Sequence, residues 1–127
     1  MREIKFRAWH KKRKRWYHVF HWHKGDTVDT ITILPSFNGD ETLFVGEDVD
    51  LMQFTGLKDK NGIEIWEGDI VQFDKDNPEV SPKLNLPVQY KYGAFYVGIY
   101  DILLLSTVRN AIEVIGNIYE NPKLMKG

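Results

Sequence analysis

The chain has 127 residues, 43% of them hydrophobic, and no cysteine. That length suits one compact domain with a core large enough to need no staple, and the composition excludes a disordered chain. The lack of cysteine excludes disulfides, thiolate metal sites and cysteine nucleophiles, and it fits a reducing cytoplasm. The formal net charge of −1 hides an asymmetry: residues 1–24 hold nine Lys or Arg and one acid, whereas residues 25–127 hold eight bases and seventeen acids. The longest apolar run, Ile102 to Leu105, is far short of the ~20 residues that span a bilayer. The charged N-terminus lacks the apolar stretch of a signal peptide. A cytoplasmic protein with no membrane partner is expected.

In chain order, Ile4, Phe6 and Ala8 alternate with Lys5 and Arg7, the period of a half-buried strand. Lys11 to Arg15 are too polar for a core and read as a turn. Residues 16–23 alternate again, with Trp16, His18, Phe20 and Trp22 on one face and Tyr17, Val19, His21 and His23 on the other. The two runs pair as a hairpin with a basic tip. Gly25-Asp26 interrupts, and β-branched residues 27–34 read as a strand. A turn over 35–41, a short strand at 42–45 and a turn at 46–48 follow. Residues 50–54 read as strand, with one helical turn as the alternative. Thr55 to Lys60 leads into Asn61-Gly62, a tight hairpin turn. Residues 63–66 and 70–73 are strands around the bend Glu67-Gly68-Asp69. Pro78, Pro82 and Pro87 argue against a central strand and mark 74–87 as a long loop and a candidate subdomain boundary. Strands follow at 88–92 and 94–100, then a short helix or turn at 102–108, a last strand at 111–119 and a tail of one helical turn. The expected fold is mainly β, with small barrel or sandwich-like sheets and at most one or two short helices. It is expected to form a single domain over residues 1–127.

Three blocks stand out together. They are the start, Met1 to Trp9; the middle, Leu51 to Asp59 through Asn61-Gly62 to Val71; and the end, Glu113 to Pro122. In this order the chain resembles the YopX family of phage and prophage proteins over nearly its whole length. The resemblance implies a phage or prophage origin and a mainly β fold, and it supplies no catalytic residue to carry over. The chain departs from the family pattern at His10, where an acid is usual, at the cation run Lys11 to Arg15, and at Trp66, where Tyr is typical. The basicity of the first block is therefore partly this chain's own.

That block carries the strongest chemical signal. Arg7, Trp9, Lys11, Lys12, Arg13, Lys14, Arg15 and Trp16 interleave cations with aromatic rings. Cations neutralise phosphates and release counterions; aromatic faces stack on unpaired bases. The competing reading makes Trp16, Phe20 and Trp22 core residues and the cations a solvated turn. His21 and His23, two apart on a strand, share a face and form a candidate metal pair. His18 points the other way under the same alternation, and a stable zinc site wants three or four ligands. Glu64, Glu67 and Asp69, and likewise Asp48 and Asp50, flank Gly-containing turns, where acids are ordinary solvated residues. Gly56 and Gly62 lack the Lys-Ser or Lys-Thr of a phosphate loop, and no serine motif resembles a nucleophile elbow. The sequence therefore points to a non-enzymatic binding module without cofactor, working through the N-terminal hairpin on nucleic acid. The alternative is an interaction protein that assembles with itself, or with a host or phage protein, through its basic and acidic parts. A carboxylate-dependent hydrolase is third.

Overall fold

A computed structural model describes residues 5–34, 41–73, 85–91, 93–98 and 103–125. The fold is mostly strand, in two antiparallel sheets with one short helix. The chain divides into two compact units between Gln53 and Phe54. Most of the long loop expected over 74–87, residues 74–84, lies outside the described residues.

The first unit is built from β1 (Phe6–His10), β2 (Arg15–His23), β3 (Thr30–Leu34), β4 (Thr42–Phe44) and the first half of β5 (Val49–Lys58), in the order β4-β3-β2-β1-β5. Every neighbouring pair is antiparallel. Alternation decides the core. Ala8, Tyr17, Ile31, Ile33, Leu43 and Val49 pack as one buried cluster, flanked by Val19, Val45 and Leu51. Burying each of the Ile, Leu and Val side chains among them contributes about 1.5–3 kcal/mol.

β2 does not alternate without a break. Its register against β3 shifts between Val19 and His21. An extra residue in a strand turns every later side chain to the other face. Beyond the bulge, Trp22 pairs with buried Ile31 on the core side, while His21 and His23 pair with Thr32 and Thr30 on the far side. Two expectations are corrected. Trp22 does not share the face of Trp16, and His18, His21 and His23 all lie on one face. The reading of Trp22 as a core residue is corrected as well, since its side chain is 43% exposed. Tyr17 takes the core place in β2.

The second unit begins with the second half of β5, which continues four residues past the expected end and pairs with β6 (Glu64–Trp66). β7 (Asp69–Phe73), β8 (Leu86–Lys91), β9 (Ala94–Val97), β10 (Leu103–Leu104) and β11 (Ile112–Asn117) form a five-stranded sheet in the order β10-β9-β8-β7-β11. The helix α1 (Leu105–Val108) and two 3-10 turns, Arg109–Ala111 and Pro122–Met125, complete it. Ile65, Val71, Phe73, Val88, Val97 and Ile112 lie in its buried core. Pro87 stands inside β8, opposite Ile70, against the expectation that proline excludes a central strand here. The strand tolerates it because Pro87 needs only its carbonyl, which accepts a hydrogen bond from Gly98 N at 3.0 Å.

Buried polar side chains hold the turns of this unit. Asp59 is 4% exposed. Its Oδ1 accepts from Asn61 N (2.8 Å) and Ile63 N (2.9 Å), and its Oδ2 accepts from Val114 N (2.9 Å). The turn is therefore longer than a two-residue hairpin. Asp59 N donates to Ile63 O at 2.8 Å, and Gly62 takes the left-handed conformation at φ 79°. Asp69 Oδ2 caps the next bend by accepting from Trp66 N at 2.8 Å. Asn117 Oδ1 accepts from Tyr119 N and Glu120 N at 3.0 and 2.8 Å. The Asp59 turn also shields the outer edge of β11: Lys60 N donates to Ile112 O at 3.2 Å, beside the Asp59–Val114 bond. Blunted edges of this kind resist pairing with another chain.

Candidate nucleic-acid interface

β1 and β2 form the expected hairpin, paired from Arg7↔His18 to His10↔Arg15. Four residues, Lys11 to Lys14, make its tip. His10 fixes the tip's shape. Its side chain is buried at 6% exposure, its carbonyl accepts from Lys14 N at 2.8 Å, and its Nδ1 accepts from Arg13 N at 3.1 Å. An acceptor Nδ1 requires the neutral ring. Burial first, and the Arg13 cation second, lower the His10 pKa below the ordinary histidine value, against opposing pulls from Asp48 and Glu41. Lys14 closes the turn at φ 57°, the one non-glycine among the described residues in the left-handed region. That conformation costs a residue with a Cβ roughly 1–2 kcal/mol.

The five cations from Lys11 to Arg15 divide into two groups. Lys11 Nζ donates to Gly46 O and lies 3.4 Å from Asp50 Oδ1, while Lys11 N donates to Asp48 O at 3.0 Å. Arg13 forms a forked pair with Glu41 and donates from Nη1 to the Tyr17 hydroxyl at 3.3 Å. The hydrogen bond from Arg13 holds the Glu41 carboxyl below the usual carboxylate range, and the same bond raises Arg13. These two cations hold the tip in place. Lys12, Lys14 and Arg15 are exposed and have no acidic partner among the described residues. The Arg15 guanidinium lies 5.7 Å from the Tyr17 ring centroid.

The predicted aromatic contacts divide as well. Trp9 is 5% exposed, with its ring centroid 5.0 Å from that of Trp16, so Trp9 is covered and offers no open face. Trp16 is half-buried, and the Arg7 guanidinium lies 3.9 Å from its ring centroid. His21 and His23 are exposed, with ring centroids 5.6 Å apart. No group of three His, Asp or Glu able to hold a metal occurs among the described residues. Of the acids near turns, Asp48 accepts from Phe44 N at 2.8 Å, Asp50 faces Lys11, and Asp69 caps its own bend.

A separate concavity of about 290 Å³ lies in the second unit, lined by Thr55, Leu57, Ala94, Phe95, Leu105 and Ser106. It has no titratable side chain among these residues. Thr55 Oγ1 is committed to Ile65 O at 2.6 Å.

Sequence reasoning missed His10 as the hairpin cap, Glu41 as the partner of Arg13, and Asp59 as the hub of the middle turn. For Asp59 a signal existed, since Asp ahead of Asn-Gly is Asx-turn chemistry. Glu41 lies 28 residues from Arg13, and no local pattern joins them.

Fold and site together define a mainly β protein of two compact units, presenting a basic hairpin held by His10 and by Glu41 and Asp50. The family model described as YopX protein matches residues 5–126, and the chain belongs to that family. It is similar to the crystal structure of protein EF1440 from Enterococcus faecalis, with 30% sequence identity and a TM-score of 0.71 over 98% of this chain and 99% of that one. No curated protein matches the chain. No helix among the described residues is long and apolar enough to cross a membrane.

Proposed function

We propose that the protein is a non-enzymatic accessory module of phage or prophage origin, working in the host cytoplasm, that binds nucleic acid through the β1–β2 hairpin. The observation that carries the reading is the state of the tip. Lys12, Lys14 and Arg15 are exposed without an acidic partner among the described residues, on a turn whose backbone is held by His10, Lys11 and Arg13. The left-handed Lys14 supports it. Glycine suits such a position at no steric cost, and a charged residue there favours a role for the charge over local stability.

Self-assembly through opposite charges is less favoured. The asymmetry along the chain is balanced within the first compact unit, where residues 4–53 hold eight basic and seven acidic residues. Glu41, Asp50 and Asp29 lie close to the cations of their own unit.

The test is titration of single- and double-stranded oligonucleotides at several salt concentrations. Binding should weaken steeply with salt. Lys12→Ala, Lys14→Ala and Arg15→Ala together should reduce the slope of log K against log salt by about 2–3, the release expected from three phosphate contacts. No binding at low salt, or an unchanged slope in the triple variant, refutes the proposal.

A further inference from the structure

The bulge in β2 has a chemical consequence beyond the hairpin tip. His18, His21 and His23 pair across the ladder with Leu34, Thr32 and Thr30, alternate residues of β3, so all three lie on the face opposite the core. Trp16 precedes His18 on that face, and Phe44 joins it through its pairing with Thr30. The three histidines are exposed, Phe44 is 44% exposed, and Trp16 is half-buried beneath Arg7. Flat rings therefore run along the outer face of β2 and onto β4. With a rise of about 3.3 Å per residue, β2 from Arg15 to His23 spans roughly 26 Å, room for several nucleotides.

The charges around these rings identify an occupant. β2, β3 and β4 contain no Asp or Glu. Lys12, Lys14 and Arg15 stand at one end of the row. At the other is Lys24, whose side chain is 88% exposed at 3.9 Å from Asp29. A row of aromatic and histidine rings between cations suits a phosphate backbone whose bases are unstacked. Sheet faces that read single strands stack bases on Phe, Tyr, Trp or His in this way. A duplex keeps its bases stacked and offers such rings nothing to cover. A protein partner would meet polar imidazoles beside Phe44 rather than a continuous apolar patch.

We infer that the outer face of β2 to β4, with His18, His21, His23 and Phe44, is a stacking platform that makes the protein select single-stranded over double-stranded nucleic acid. This inference rests on the nucleic-acid reading of the hairpin and adds a second surface with a different role. The tip supplies charge, and the platform supplies the preference for unpaired bases.

The test uses the full chain, with fluorescence anisotropy of labelled oligo-dT and of a mixed-sequence duplex of equal length. The single strand should bind at least tenfold tighter. Replacing His18, His21 and His23 together by Ala should remove most of that preference and leave the duplex affinity and both salt slopes unchanged. Phe44→Ala, made at an exposed ring, should weaken single-strand binding about fivefold, the low end of stacking effects. The tip variant should instead lower the salt slope on both forms. Equal affinity for duplex and single strand with a tip-dependent slope would overturn the platform and leave the hairpin reading intact. An unchanged single-strand affinity in both the histidine and Phe44 variants would do the same. Absence of binding to either form at low salt would overturn both.

Discussion

Replacing Asp59 by Ala should destabilise the second unit more than any other single change at its surface turns. The side chain is 4% exposed and accepts three backbone hydrogen bonds, from Asn61 N, Ile63 N and Val114 N at 2.8, 2.9 and 2.9 Å. A hydrogen bond to a charged acceptor contributes about 1.5–3 kcal/mol. The three share one carboxylate, so their effects are not additive. A loss of about 3–5 kcal/mol is expected, because truncation leaves three amides without acceptors in a partly buried turn. That is a large part of the roughly 5–15 kcal/mol by which domains of ordinary size are stable. Asp59→Asn separates geometry from charge. Its Oδ1 can still accept from the two loop amides, but its amide nitrogen faces Val114 N as donor against donor. A loss of about 2–3 kcal/mol is expected for Asn. Urea unfolding followed by tryptophan fluorescence, extrapolated linearly, measures both variants, and amide exchange at Val114 should accelerate in each. A loss below about 1 kcal/mol in the Ala variant would refute the view that Asp59 joins the middle hairpin to β11.

Three further outcomes follow from the turns and the tip. Gly116→Ala should cost about 1–3 kcal/mol in urea unfolding, because an added Cβ would meet Asn121 Oδ1 at 2.5 Å and Leu124 Cδ1 at 3.0 Å; unchanged stability would sink this. Lys14→Gly should leave stability unchanged or raise it by up to about 1 kcal/mol, since relief of the left-handed strain exceeds the entropy cost of glycine, while the salt slope of nucleic-acid binding falls by about 0.7–0.9. His10 has a lowered folded pKa, so the unfolded chain binds the extra proton first. Its contribution to stability is full above about pH 6.5 and is lost as pH falls through the lower folded value. His10→Asn, which stays neutral, should flatten that part of the pH–stability curve, and a wild-type chain that gains stability from pH 7 to pH 5 would contradict the assignment.

The sequence by itself determined the class of fold, the hairpin with its basic tip, the place but not the length of the middle turn at Asn61-Gly62, and the closing helical turn. These features rest on short-range rules: alternation along a strand, the scarcity of residues other than Gly and Asn that suit a left-handed turn, and the break imposed by polar runs. Asp59, Asp69 and Asn117, which stand in the family blocks, each bind amides within a few residues of themselves. Only the tertiary structure decided which cations remain available. Arg13 is held by Glu41 and Lys11 by Asp50, partners that are distant in sequence and adjacent only once β4 and β5 have joined the sheet. It also decided the faces of β2. One extra residue between Val19 and His21 has no signature in the alternation of residues 16–23, yet it turns Trp22 toward the core and aligns three histidines on the outer surface. A bulge is chosen by the register of the neighbouring strand, and register is a property of two segments of chain, which one segment cannot encode alone.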